Sequence, residues 1–190
     1  MLATTLNDHL FWITSRAAGT LALLFSSVAV GVGVSMGGKL IKGRGPDLRA
    51  AHEALSMATI VALVVHAVSL LGDRFLHPSL ADIAIPFASS YKTVWMAMGI
   101  VGGWMMIILG LSFYARGRIG QQRWRKLHRF TALAWVLGLA HSLGQGTDAG
   151  TLWFLVAAGI VVLPAAALLA IRMSDPRPAP RAAAPEAVVR

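Results

Sequence analysis

Apolar positions along this chain come in long unbroken blocks, neither alternating as in a half-buried strand nor striped as on a surface helix. Five windows carry no Asp, Glu, Lys or Arg: Ala17 to Gly38, Ala54 to Gly72, Thr93 to Ala115, Phe130 to Thr147, and Ala149 to Ile171. A helix that crosses the hydrocarbon needs about 20 mostly apolar residues at about 1.5 Å each. Open strands would leave main-chain groups unpaired in lipid. The pattern therefore predicts an all-α integral membrane bundle of five transmembrane helices. Residues 1–15 read as a short outer lead-in with Phe11 and Trp12 at the interface, residues 16–172 as the membrane domain, and residues 173–190, rich in Pro, Ala and Arg, as a disordered tail. The connection LLGDRFLHPSLADIAIPFASSYK is interrupted by Pro78 and Pro86 but remains apolar, so it reads as a loop packed on the bundle.

Composition agrees with that pattern: of 190 residues, 56% are hydrophobic and 13% charged. The net charge of +9 raises the question of a nucleic-acid partner, and the placement of the 17 basic residues answers it. Lys39, Lys42, Arg44 and Arg49 fall between the first and second windows; Arg116, Arg118, Arg123, Arg125, Lys126 and Arg129 surround the third connection; Arg172, Arg177, Arg181 and Arg190 follow the fifth window. Only Arg16, Arg74 and Lys92 lie on the opposite set, a split of 14 against 3. Positive residues stay on the cytoplasmic side, so the amino terminus is expected outside and the carboxyl terminus inside, in a bacterial inner membrane. The charge then needs no nucleic acid. The first window lacks a basic start and is longer than a signal core, so it is read as a span. With no cysteine, disulfides, thiolate metal sites, iron–sulfur clusters and covalent c-type haem attachment are excluded.

Four histidines stand inside this apolar frame. HEALSMATIVALVVH runs from His52 to His66 and HRFTALAWVLGLAH from His128 to His141. They lie on the second and fourth spans, which must run in the same direction, so His52 is expected near His128 on the inner side and His66 near His141 about 20 Å further out. Imidazole is a good axial ligand for haem iron, and facing helices of a bundle commonly hold cofactors. Helical phase supports one pair: the 14-residue step leaves His52 and His66 about 40° apart, whereas the 13-residue step leaves His128 and His141 about 140° apart on a straight helix. The second pair therefore requires tilt, different approach angles or a deformation, with Gly138 as a candidate. A single membrane histidine can equally serve a neighbouring helix by hydrogen bonding or face a water cavity. Zinc would gather its ligands at one site instead of spreading them along the axis.

These residues carry a resemblance. The two histidine segments, with RIGQQRWRKLH before His128, GLAHSLGQGTD around and after His141, and SRAAG opening the first span, resemble the ferric reductase-like transmembrane domain. That family includes the membrane halves of ferric reductases and NADPH oxidases, and the haem-binding membrane subunit of bacterial methionine sulfoxide reductase systems. The resemblance covers roughly residues 15–172. Its members commonly have six spans with ligands on the third and fifth; five are expected here, as though the first were missing. It implies two non-covalent b-type haems, an inner one on His52 and His128 and an outer one on His66 and His141, each iron with two imidazoles and no open position. It also implies an oxidoreductase component, and unlike the family's oxidases this chain is expected to have no flavin or nicotinamide domain of its own. Electrons would come from a separate flavoprotein or a quinol and leave to an outer acceptor, protein or small molecule. Flavin or NAD(P)H would act only through a partner.

Other residues invite roles beside bland readings. Arg16 and Arg129 are candidates for haem propionates, although basic residues at span ends commonly answer to lipid headgroups. Trp135, midway between His128 and His141, could fill the space between haems or simply pack. Gly99, Gly102, Gly103 and Gly138 are read as sites of close approach, and His9 and His77 as solvated outer residues. Two other functions stay open at this stage: a haem-free membrane scaffold or carrier with structural histidines, and a haem protein that passes electrons inward to quinone.

Overall fold

The computed structural model describes residues 2–38, 44–74 and 76–174. The basic residues Lys39, Lys42, Arg177, Arg181 and Arg190, and the tail from residue 175, lie outside the described residues. Eight helices follow in order: α1 (Leu2–Gly38), α2 (Gly45–Leu70), α3 (Leu80–Ala84), α4 (Thr93–Leu111), α5 (Arg116–Ile119), α6 (Gln121–His128), α7 (Thr131–Gln145) and α8 (Leu152–Ser174). No strand occurs among the described residues.

Four of these helices, α1 from His9, α2, α4 and α8, are long and apolar enough to cross a membrane. Five were expected. The shortfall is α7, whose 15 residues span only about 22 Å at about 1.5 Å each, less than the hydrocarbon thickness. The uncharged window suggested more, but Phe130 belongs to a turn and Gly146 is already extended at φ −62°, ψ 124°. The expected lead-in is also not separate, because α1 runs unbroken from Leu2 to Gly38.

Two antiparallel hairpins, α1–α2 and α4–α7, form the body, and α8 packs on α1. Small residues make this possible. Ala18, Ala22, Ser26 and Ala29 follow one another on α1 at steps of three or four and are all buried. Such a stripe lets backbones approach in a membrane, where lipid is as apolar as leucine and tight packing drives association. Leu23 meets Phe154 and Ala158 of α8 in the one buried hydrophobic cluster among the described residues. Ala165 of α8 lies against Gly31 one step after Pro164, which interrupts the hydrogen-bond ladder within α8. Large apolar side chains such as Val61, Ile108, Ile160 and Leu163 point outward, as a lipid-facing surface requires.

The connection between α2 and α4 does lie on the bundle. The Trp104 indole donates to the Ala84 carbonyl at 2.8 Å, and α3 is started by a reciprocal capping box between Ser79 and Asp82. His77, Phe87 and Lys92, all here, are the non-glycine residues with positive φ among those described (43°, 67° and 41°). Lys92 uses that conformation to send its ammonium to the Gly144 carbonyl at 2.9 Å, satisfying one of the orphan acceptors at the end of α7.

Candidate functional site

The helices bring the four buried or half-buried histidines together in two couples. The His52 and His128 ring centroids are 6.0 Å apart with planes at 82°; those of His66 and His141 are 6.3 Å apart at 75°. First pairs with first and last with last, so α2 and α7 run in the same direction. Their backbones hardly touch. What closes the space between them is imidazole.

Main-chain carbonyls on the flanking helices hold the rings. The His66 Nδ1 lies 2.8 Å from the Ser15 carbonyl oxygen and 3.0 Å from the Ser15 hydroxyl, and the His52 Nδ1 lies 3.0 Å from the Ala29 carbonyl oxygen. On the other hairpin the His141 Nδ1 lies 2.8 Å from the Trp95 carbonyl oxygen. These contacts have the imidazole N–H donating from Nδ1, which leaves Nε2 as the nitrogen with a free lone pair. His128 differs. Its Nδ1 is buried without a well-formed hydrogen bond, although it faces the Leu109 carbonyl, which also accepts from the Ser112 hydroxyl at 2.6 Å.

Each of the three well-held rings passes over a glycine placed four residues after its carbonyl: Gly19 after Ser15, Gly33 after Ala29, Gly99 after Trp95. A Cβ added at Gly19 would stand 3.0 Å from the His66 ring, at Gly33 3.0 Å from the His52 ring, and at Gly99 2.5 Å from the His141 ring. In a helix the side chain at i+4 leans back over the carbonyl of residue i, so only glycine leaves that oxygen open to an approaching imidazole. Leu109 needs no such glycine because α4 ends at Leu111, two residues beyond. Gly19 and Gly33 were not among the expected site residues, yet their spacing equals that of His52 and His66, which was the available signal. Of the four glycines singled out in the sequence, Gly102 permits close packing on Ala134 and Leu137, while Gly103 and Gly138 face open space.

The phase problem of the second pair is eased by a break, not by Gly138. His128 ends α6, and Arg129 and Phe130 form a tightened turn in which the Phe130 N–H bonds to Leu127 and the Ala132 N–H to Arg129, each three residues back. Every residue in such a turn advances the phase by about 20° more than in an α-helix, and the two segments become free to take different axes.

Of the remaining candidates, Trp135 is 3% exposed and donates from Nε1 to the Ser27 hydroxyl at 3.0 Å. Ser27, fully buried, donates in turn to the Leu23 carbonyl at 2.6 Å. Trp135 therefore locks α7 to α1 at the level between the couples. Trp135→Phe is expected to cost about 1 kcal/mol and Trp135→Ala about 3–5 kcal/mol in thermal unfolding of the detergent-solubilised protein. Arg16 is engaged by Asp148 through Nε at 3.0 Å and through Nη2, and lies over the Trp12 ring at 4.1 Å. It ties α1 to the α7–α8 connection. Arg129, His9 and His77 are exposed.

A single bound metal can be tested against this geometry. An imidazole nitrogen sits about 2.0 Å from its metal and about 1.2 Å from its own ring centre, so two rings holding one ion from opposite sides have centroids about 6.4 Å apart. Both couples fit. No cluster of three or more His, Cys, Asp or Glu suited to a bare ion occurs among the described residues, so any metal here must bring further ligands of its own, as a haem does with its four ring nitrogens. Comparison with family models, with curated proteins and with solved structures finds no match to this chain.

Proposed function

We propose that this chain is a membrane electron conduit that holds two b-type haems, one between His52 and His128 and one between His66 and His141. The observation that carries the reading is the pair of centroid separations, 6.0 and 6.3 Å, with the ring planes of each couple 82° and 75° apart. Carbonyl anchoring through Nδ1 is the usual outer support of a metal-bound histidine, since it fixes ring orientation and raises ligand basicity. The glycines behind three of the rings let the imidazoles reach these carbonyls without loss of helix.

When bound, the haems supply one-electron redox change at iron. The chain's own work is geometric. Ser15, Ala29 and Trp95 orient three ligands; Gly19, Gly33 and Gly99 admit them; Ser27 and Trp135 fasten the helix bearing His141 to α1. We read α7, with the turn before it, as the fifth span, with the amino terminus outside and the basic end cytoplasmic, in a bacterial inner membrane. Electrons are taken up at the basic end from a separate donor and delivered to an acceptor at the other. The haem-free scaffold differs in its expectation: it tolerates His→Gln at all four positions.

Orientation is open to direct labelling because the chain has no cysteine. In intact cells a membrane-impermeant maleimide is expected to label Ser90→Cys, and to label Gly117→Cys only after permeabilisation; the reverse pattern contradicts the assignment. The function itself is tested in vesicles loaded with ferricyanide and exposed to an external impermeant reductant. Wild-type protein is expected to bleach the trapped ferricyanide, and His52→Ala to leave it coloured as in protein-free vesicles. Equal bleaching by both proteins contradicts the proposal.

A further inference from the structure

His128 has the one ligand ring without a well-formed main-chain anchor, and something else holds it. The Trp124 indole stacks on it with centroids 5.0 Å apart and planes at 27°. Trp124 meets Phe113 at 5.8 Å, and Phe113 meets Tyr114 at 5.3 Å. Tyr114 is 59% exposed, and its hydroxyl donates to Glu53, the residue after His52, at 3.0 Å. The rings thus form an unbroken run from the surface to a histidine of the basic-end couple. Trp124 Nε1 is buried without a hydrogen-bond partner, so ring packing sets its place.

Charge surrounds this run. Between Ser112 and Phe130 there are six cations, Arg116, Arg118, Arg123, Arg125, Lys126 and Arg129, and no carboxylate. Arg116 lies over the Phe113 ring at 3.9 Å and donates to its carbonyl at 2.8 Å; the other five are exposed. A positive-inside bias is met by charge alone. It does not call for an exposed aromatic surface continuous with the site.

We propose that this basic, aromatic-centred face docks an electron-donor protein whose own surface is acidic around its redox centre, and that Trp124 couples the docked donor to His128. The proposal rests on the two-haem reading. One electron passes from the donor's reduced centre to the group held by His128. No proton or bond changes, and the rings act as the medium without being oxidised. Clustered charge of one sign accelerates encounter with an opposite partner and loses its effect as salt screens it. Trp124 is a positioning residue, effective through His128.

The test is stopped-flow reduction of the full-length, haem-loaded protein, with photoreduced flavodoxin as an acidic donor protein and methyl viologen radical as a small cationic reductant. The second-order rate with flavodoxin is expected to fall about tenfold or more between about 20 and about 200 mM salt. The triple variant Arg123→Glu, Arg125→Glu, Lys126→Glu is expected to slow flavodoxin by about tenfold or more without slowing viologen. Trp124→Leu is expected to lower the rate at saturating flavodoxin several-fold per bound haem, and Trp124→Phe to recover most of it. A salt-independent flavodoxin rate, or equal slowing of both reductants by the charge reversal, overturns the proposal while leaving the two-haem reading in place. So does a triple variant that responds only to the anionic lipid content of nanodiscs, which would assign the cations to lipid headgroups. Colourless protein overturns both readings together.

Discussion

His66→Ala and His141→Ala are each expected to remove the same one of two bound haems, taking the stoichiometry from about two to about one per chain and abolishing electron passage across the membrane. The expectation follows from pairing: the two rings are 6.3 Å apart and serve one position, whereas His52 and His128 are the other couple. Loss of either ring leaves an iron with one imidazole, and loss of both should do no further harm, a marked departure from additivity. The remaining haem should keep the spectrum of the basic-end couple. His9→Ala and His77→Ala, at exposed positions, are expected to retain both haems. Pyridine haemochrome assay of the purified variants measures all of these; independent, additive losses from His66 and His141 would show that they do not share a cofactor.

Gly99→Ala is expected to have the next largest effect, and in a direction helix chemistry alone opposes. Alanine is the better helix former by about 1 kcal/mol, so α4 itself gains. The new methyl, however, would stand 2.5 Å from the His141 ring, where carbon atoms need about 3.5 Å or more. The ring must retreat by about 1 Å, and its bond to the Trp95 carbonyl is disturbed with it. Changes to the outer support of a metal-bound histidine typically cost about 10–100-fold in affinity. Haem titration of apoprotein should show that loss at one of two sites only. Gly103→Ala, facing open space four residues on, is the matched control and is expected to bind both haems as wild type does.

Much of the fold was legible because lipid imposes a simple demand, long uncharged blocks, and α1, α2, α4 and α8 answer it. The fifth block was harder. Phe130 and Gly146 are uncharged and count toward a window, but one sits in a tightened turn and the other in extended chain, and charge alone does not register either. The histidine partners could be read from direction and spacing, since parallel helices pair their first and last members. The break after His128 was not legible: neither proline nor glycine marks it, and Arg129 and Phe130 keep helical dihedrals while switching to bonds three residues back.

The carbonyl anchors were hidden for another reason. They belong to main chain, which carries no residue signature, and only the glycine four positions later betrays them. Read together, Ser15 with Gly19, Ala29 with Gly33, and Trp95 with Gly99 show that the two hairpins repeat one design, in which one helix offers carbonyls 14 residues apart, Ser15 and Ala29, to histidines 14 apart on the next. The second hairpin keeps the 14-residue step from Trp95 to Leu109, but the Leu109 carbonyl only faces His128 without a well-formed bond to it.

The most direct test of the account is a reduced-minus-oxidised spectrum of the purified protein with haem quantification. About two reducible b-type haems per chain is the expected result; a well-folded, colourless protein would contradict it.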